Sequence, residues 1–168
     1  MLFFVTGFMG VGKTTIGNQL AQILQVSFVD LDQFIERKEE KSISDIFEEL
    51  GEEEFRLLER KHLLSLIKKT ETRTVIALGG GTICHLHNHI DILQNGICIY
   101  LKTDWLTIKE NLKKLKNRPL IQQKSENELA LLYHKRVPFY ELSQVETLTN
   151  TGFEAKKVAE SLKLLTNR

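Results

Sequence analysis

The run Leu2-Phe3-Phe4-Val5-Thr6-Gly7-Phe8-Met9-Gly10-Val11-Gly12-Lys13-Thr14 sets a short apolar strand directly against a glycine-rich turn. From Gly7 to Thr14 it fits G-x-x-x-x-G-K-[ST] at every fixed position. That pattern alone occurs in unrelated proteins, and its setting gives it weight. An apolar strand precedes it and an amphipathic helix follows, with Ile16, Leu20, Ile23 and Leu24 on one stripe of Thr14 to Leu24. Glycines let the backbone wrap around phosphate oxygens, and successive N–H groups form an anion nest backed by the helix dipole. The backbone of Gly10, Val11, Gly12, Lys13, Thr14 and Thr15 is therefore expected to bind the phosphates of a nucleoside triphosphate. Lys13 is expected to bridge the β- and γ-phosphates, and the Thr14 hydroxyl to ligate Mg²⁺.

Outward from this turn, short β-rich runs alternate with longer helical patterns. The runs are Leu2 to Thr6, Val26 to Asp30, Thr74 to Leu78, Ile97 to Leu101 and Val145 to Thr149. Several are apolar throughout, as strands covered on both faces are. Helical patterns cover Ser42 to Leu50, Glu52 to Lys69 and Asp104 to Lys116, and a final helix opens at Thr151-Gly152-Phe153-Glu154 in a capping-box pattern. Alternation of this kind predicts an α/β domain, a parallel sheet with helices on both faces, with ligands beyond the carboxyl ends of the strands. The length of 168 residues fits a single domain, 1–168.

Composition removes several function classes. Lys plus Arg number 23 against 22 Asp plus Glu, a net charge of +1 without the cationic excess of a duplex-DNA binder. No nucleic-acid partner is expected. No apolar run approaches bilayer-spanning length, and the N-terminus has neither a basic start nor a signal-type apolar stretch. Two cysteines, Cys84 and Cys98, are too few for a disulfide framework and read as buried thiols. These features read as a cytoplasmic, soluble chain with no membrane partner.

A GTPase would need a guanine-reading segment, and Leu101-Lys102-Thr103-Asp104 fails because Leu101 cannot replace its polar first residue. Leu101 reads instead as a strand end and Asp104 as an N-cap. A motor or transport ATPase needs a larger chain. A small kinase needs a phosphate cradle, a metal site, an acceptor pocket and a lid, and candidates exist for each. In Phe28-Val29-Asp30-Leu31-Asp32, one carboxylate can hold Mg²⁺ through water while the other accepts a hydrogen bond from an attacking hydroxyl. The same acids also suit a plain helix N-cap. Gly79-Gly80-Gly81 follows the buried run Val75-Ile76-Ala77-Leu78 and offers bare backbone to a substrate, or merely a tight turn. Arg56 with Glu59 three residues on reads as an oriented guanidinium or as a solvated ion pair. Arg118-Pro119-Leu120 lies in a basic segment, and Arg136 precedes Val137-Pro138-Phe139-Tyr140.

Taken in order, these features resemble the shikimate kinase family across essentially the whole chain. The resemblance rests on the glycine-rich loop, D-x-D after the second strand and Ser42-Ile43-Ser44-Asp45-Ile46-Phe47 leading to Glu54-Phe55-Arg56-x-x-Glu59. It continues through Gly79-Gly80-Gly81, Arg118-Pro119-Leu120 and Arg136 ahead of Pro138 and Tyr140. It implies a P-loop kinase fold, a five-stranded parallel sheet of order 2-3-1-4-5, with an acceptor-binding region at about 31–60 and a lid at about 113–125. It implies transfer of the ATP γ-phosphate to the 3-hydroxyl of shikimate, with Mg²⁺ as cofactor, by a monomer. By position, the resemblance implies that Lys13, Asp32 and Arg118 are catalytic. Asp32 would polarise the attacking hydroxyl, Asp30 would support the metal through water, and Arg118 would reach from the lid to ATP. Arg56 and Arg136 would clasp the shikimate carboxylate, with Gly79, Gly80 and Gly81 at the ring hydroxyls. Phe47 and Phe55 would wall the pocket, and Glu59 would hold Arg56.

The chain departs from the family pattern at Asn111, where many relatives place an arginine over the adenine, and at 149–153, which lacks the proline often found there. Cys84-His85-Leu86-His87-Asn88-His89 has the density of a metal cluster, but the histidines share a face only in an extended segment. The segment reads as a solvated loop or helix start, with adventitious metal affinity left open. A related small-molecule kinase acting on gluconate is the alternative acceptor reading. Two guanidiniums in one pocket, which call for an anionic acceptor, weigh toward shikimate.

Overall fold

The computed structural model describes residues 1–114, 124–149, 152 and 154–166. Along the chain run β1 (Leu2–Thr6), α1 (Lys13–Leu24), β2 (Ser27–Asp30), α2 (Leu31–Glu39), α3 (Ile43–Lys69) and β3 (Thr74–Ala77). A 3₁₀ turn (Thr82–Cys84) leads to α4 (Asn88–Asn95), β4 (Gly96–Lys102) and α5 (Trp105–Lys113). The chain continues with α6 (Glu126–Tyr140), β5 (Val145–Leu148) and α7 (Glu154–Thr166). Arg118 and most of the expected lid lie outside the described residues.

All strand pairs are parallel, and the order is β2-β3-β1-β4-β5, as the family resemblance implies. The expectation of strands covered on both faces holds for β1 and β3, buried at every position. The edge strands β2 and β5 stay partly open. Phe3, Phe4 and Val5 of β1 have no exposed surface. Each such side chain contributes about 1.5–3 kcal/mol on burial, so the central strand is a rigid mount for the loop that follows it.

Right-handed crossovers fix the layers. The β1-to-β2 connection moves toward one edge, and those after β2 move the other way. Hence α1 covers one face and the later crossover helices cover the opposite one. The reversal lies between β1 and β3, and a crevice opens there at the strand carboxyl ends. Gly7 to Thr14 leaves the end of β1, Gly79-Gly80-Gly81 the end of β3, and Asp30 the end of neighbouring β2.

Boundaries differ from the sequence expectations in physically readable ways. The two expected helices Ser42 to Leu50 and Glu52 to Lys69 form α3, broken at Gly51, whose φ of 79° and ψ of 175° are not helical. Ser42 caps α3 in a reciprocal pair with Asp45. The expected helix to Lys116 is described only to Lys113, and Asp104 stands outside it as an N-cap that accepts from the Thr107 N–H. Thr151 and Phe153 of the expected final capping box are outside the described residues, while the Gly152 N–H donates to Glu154. No helix among the described residues is long and apolar enough to cross a membrane.

Candidate functional site

Two recesses open side by side over the crevice. The first, of about 240 Å³, is lined by Gly10, Gly12, Lys13, Thr14 and Thr15 of the loop and by Asp30, Asp32, Leu78, Met9 and Gly80. Gly10 and Gly12 hold φ near 80° and 88°, the left-handed region that turns consecutive N–H groups inward and that a side chain would strain. Val11 instead buries its side chain in the core, leaving its backbone to the loop. The Lys13 ammonium donates to the Phe8 carbonyl at 2.8 Å, across its own loop.

Thr14 Oγ1 donates to Asp30 Oδ2 at 2.6 Å, while Asp30 Oδ1 accepts from the Gln33 N–H at 3.2 Å. Asp30 thus caps α2 and faces the phosphate loop at once, so the cap and site readings of D-x-D hold together. A hydroxyl and a carboxylate at hydrogen-bond distance beside a phosphate nest form an all-oxygen donor set of the kind Mg²⁺ takes.

The second recess is lined by Asp32, Ile43, Phe47, Phe55, Arg56 and Glu59, closed by Met9, Gly79, Gly80, Gly81 and Arg136. The 31–60 region supplies one wall, and Gly79-Gly80-Gly81 with α6 supplies the other. Arg56 and Arg136 converge over Gly81: a Cβ there would lie 2.9 Å from Arg56 Nη2 and 2.8 Å from Arg136 Nη2. Arg56 donates to Glu59 Oε2 at 2.9 Å and to Glu52 at 3.1 Å, and its guanidinium stacks 5.2 Å from the Phe55 ring centroid. Phe55 in turn lies 4.4 Å from Phe47, centroid to centroid. Arg136 lies 5.8 Å over the Phe8 ring, and the Gly80 carbonyl accepts from both Arg136 and Tyr140. Burial pushes the Glu59 carboxyl above the usual carboxylate range, with the Arg56 guanidinium acting against it.

Asp32, Met9 and Gly80 line both recesses. A Cβ on Gly79 would meet Asp32 Oδ1 at 2.9 Å and Glu59 Oε1 at 2.8 Å, so only bare backbone fits between these carboxylates. The structure therefore brings the site residues expected from sequence together around the two recesses, except Val11, which lies in the loop but lines neither, and Arg118, which is not described.

Several site residues escaped the sequence reading: Met9 and Ile43 in the linings, and Glu52 and Thr82 as partners of Arg56 and Glu59. The i,i+4 spacing of Glu52 and Arg56 was the one available signal. Asn111 sends its amide to the Gly10 carbonyl at 3.0 Å, tying α5 to the phosphate loop. The Cys84–His89 segment is a 3₁₀ turn, two left-handed residues (Leu86 and His87) and the start of α4, as the loop-or-helix-start reading expects. No group of three or more metal-ligating side chains occurs among the described residues. Both cysteines are free thiols; Cys98 is buried and Cys84 half-buried.

The family model described as Shikimate kinase matches residues 9–166. A shikimate kinase of Azobacteroides pseudotrichonymphae genomovar. CFP2 is 46% identical over 127 residues, covering 75% of this chain and 74% of its own. One of Bacillus cereus (strain G9842) is 38% identical, covering 95% of this chain and 94% of its own. The solved shikimate kinase of Acinetobacter baumannii, in complex with shikimate, superposes with a TM-score of 0.88 at 36% identity, covering 99% of this chain and 94% of that one. The Bacteroides thetaiotaomicron enzyme gives 0.85 at 31% identity, covering 100% and 99%. With the strand order, the phosphate loop and the paired arginines already in place, these matches over nearly the full length mean that the chain belongs to the shikimate kinase family.

Proposed function

We propose the following division of labour for the family reaction, transfer of the γ-phosphate of ATP to the 3-hydroxyl of shikimate in aromatic amino-acid biosynthesis. The loop N–H groups from Gly10 to Thr15 cradle the phosphates, and Lys13 bridges the β- and γ-phosphates, exchanging the Phe8 carbonyl for phosphate oxygen. Thr14 and, through water, Asp30 hold Mg²⁺, which neutralises phosphate charge when bound. Phosphoryl transfer asks for positioning and charge neutralisation more than covalent help, and the two recesses divide those tasks.

The single observation that carries the acceptor assignment is the convergence of Arg56 and Arg136 on Gly81. Two guanidinium forks at one end of a small pocket call for a carboxylate, and a polyol carrying one carboxylate answers that demand. Shikimate so held places its hydroxyls toward Gly79, Gly80 and Asp32, against the wall formed by the packed rings of Phe47 and Phe55. Asp32, shared by both recesses, accepts the hydrogen bond of the attacking hydroxyl and takes its proton as that oxygen bonds to the γ-phosphorus. The bond from phosphorus to the β-γ bridging oxygen breaks in the same step, and ADP leaves with the bridging oxygen. Glu59 holds Arg56. Arg118 comes from the lid, about 113–125, to the ATP phosphates.

The described residues named here all come from one chain, which fits a monomeric catalytic unit, and two free thiols suit the cytoplasm. The test is a coupled ADP-release assay with shikimate, quinate and gluconate in parallel. ADP release dependent on shikimate is expected. Stimulation by gluconate with none by shikimate would refute the acceptor assignment.

A further inference from the structure

The arginine fork rests on hydrogen bonds that leave the pocket and run behind it. Glu59 has no exposed surface, and each of its carboxylate oxygens has a separate partner. Oε2 accepts from Arg56 at 2.9 Å, and Oε1 accepts from Thr82 Oγ1 at 2.6 Å. Thr82 is itself fully buried, at the head of the 3₁₀ turn after Gly81. Its carbonyl accepts from the Asn88 amide at 2.8 Å, and Asn88 Oδ1 accepts from Arg60 at 2.6 Å. Arg60 also pairs with Asp91 at 2.9 Å. Thr82 is thus held from behind, so its hydroxyl has a defined place from which to donate.

The terminal torsion of a glutamate is broad and roughly two-fold, so burial alone leaves the plane of its carboxylate poorly defined. A short hydrogen bond to one oxygen removes that freedom and aims the other. We propose that Thr82 is a positioning residue for the acceptor: its hydroxyl fixes the plane of the Glu59 carboxylate, and through it the Arg56 fork that grips the carboxylate of shikimate. The inference rests on the reading of Arg56 given above. The same contact keeps Glu59 on its own side of Gly79, since a Cβ at that glycine would sit 2.8 Å from both Thr82 Oγ1 and Glu59 Oε1 and 2.9 Å from Asp32 Oδ1. Thr82 itself lines neither recess, and its hydroxyl reaches the acceptor pocket through Glu59. Its backbone N–H donates to the Gly79 carbonyl at 3.2 Å, a contact that side-chain substitution leaves in place.

The experiment compares Thr82→Val, which keeps the shape and removes the hydroxyl, with Thr82→Ser, which keeps the hydroxyl. Steady-state ADP release is read against shikimate and against ATP separately, with thermal unfolding as the check on folding. Thr82→Val is expected to raise KM for shikimate by about tenfold. KM for ATP should stay within about twofold, kcat should change less than KM for shikimate, and Thr82→Ser should restore the wild-type value. An unaltered KM for shikimate, or equal changes in both KM values, overturns the proposal. Thr82→Ala carries the same test where the valine is not accommodated. Failure of both to fold beside a normal serine variant assigns the hydroxyl to structure and overturns it too. Wild-type turnover indifferent to shikimate would strike the acceptor assignment itself, an outcome read before any variant.

Discussion

Arg56→Ala separates what this side chain does for the ligand from what it does for the fold. The side chain is 8% exposed, paired with a wholly buried Glu59 and with the half-exposed Glu52. On the ligand side, deletion removes a charge-assisted contact to a carboxylate, about 1.5–3 kcal/mol. That corresponds to roughly 10- to 150-fold in shikimate affinity. ATP affinity measured without acceptor should barely move, since Arg56 lines only the acceptor recess.

On the fold side, deletion leaves the Glu59 charge buried without its cation, a loss of about 3–5 kcal/mol when one member of a buried pair is removed. Thr82 still donates to Glu59, so the lower end is expected, and the Glu52 pair adds little. The pH dependence has a definite sign. Burial already holds the Glu59 carboxyl up, and losing Arg56 raises it further. A carboxyl raised on folding lowers stability only where the unfolded chain is ionised. The deficit is therefore full above the raised folded-state pKa of Glu59 and shrinks as pH falls through it toward the ordinary glutamate value of about 4.3. Urea unfolding across that range measures the deficit, and ADP release measures the affinities. Arg56→Ala/Glu59→Gln removes the orphaned charge, so it should recover most of the stability and none of the shikimate affinity. Equal loss of ATP and shikimate affinity in the single variant would refute the reasoning, as would shikimate affinity restored by the double one.

Gly81→Ala places a methyl 2.8–2.9 Å from the two guanidinium ends without straining the backbone, whose φ is −115°. Displacing the fork by a fraction of an ångström should raise KM for shikimate by on the order of tenfold while the unfolding midpoint hardly moves; an unchanged KM would contradict the convergence of Arg56 and Arg136. His85 is pulled down to about 4, first by burial and then by the charges of Arg56 and Arg136. The unfolded chain takes up this proton near pH 6.5 and the folded one does not, so stability should fall as pH drops from about 6.5 to 4, by at most about 1.4 kcal/mol per pH unit from this group. His85→Gln should flatten that slope in chemical denaturation, and identical slopes in both proteins would count against the shift.

The parts of the molecule that were legible in the sequence are those whose physics is local. Gly7 to Thr14 carries its own backbone geometry, and a strand on one side with a helix on the other leaves few places for it to sit. Gly51 divides α3 where helical periodicity breaks, and Asp104 caps α5 because a short acceptor precedes the first turn. The joining of Arg56 to Arg136 is different. They lie on separate helices far apart in the chain, and only the family resemblance paired them before the fold did. Thr82 had no sequence signal, and Met9 and Ile43 stood only at variable positions of quoted motifs, because their roles arise where a turn, a helix start and the phosphate loop are packed together. Asn111 belongs with them: its contact with Gly10 spans 101 residues. The histidines near Cys84 show the converse. Their density is that of a cluster, yet the spacing already favours a loop or helix start, and two successive left-handed residues, invisible in the spacing, lead into that helix start.

The proposed chemistry depends on Asp32 serving both recesses, and Asp32→Asn tests that role most directly. Asparagine keeps the size and the ability to accept a hydrogen bond but cannot take the proton. kcat should fall by on the order of 10²-fold or more, with shikimate and ATP affinities within several-fold of wild type by titration. Turnover near the wild-type rate would contradict the role given to Asp32 and, with it, the arrangement of both substrates around that carboxylate.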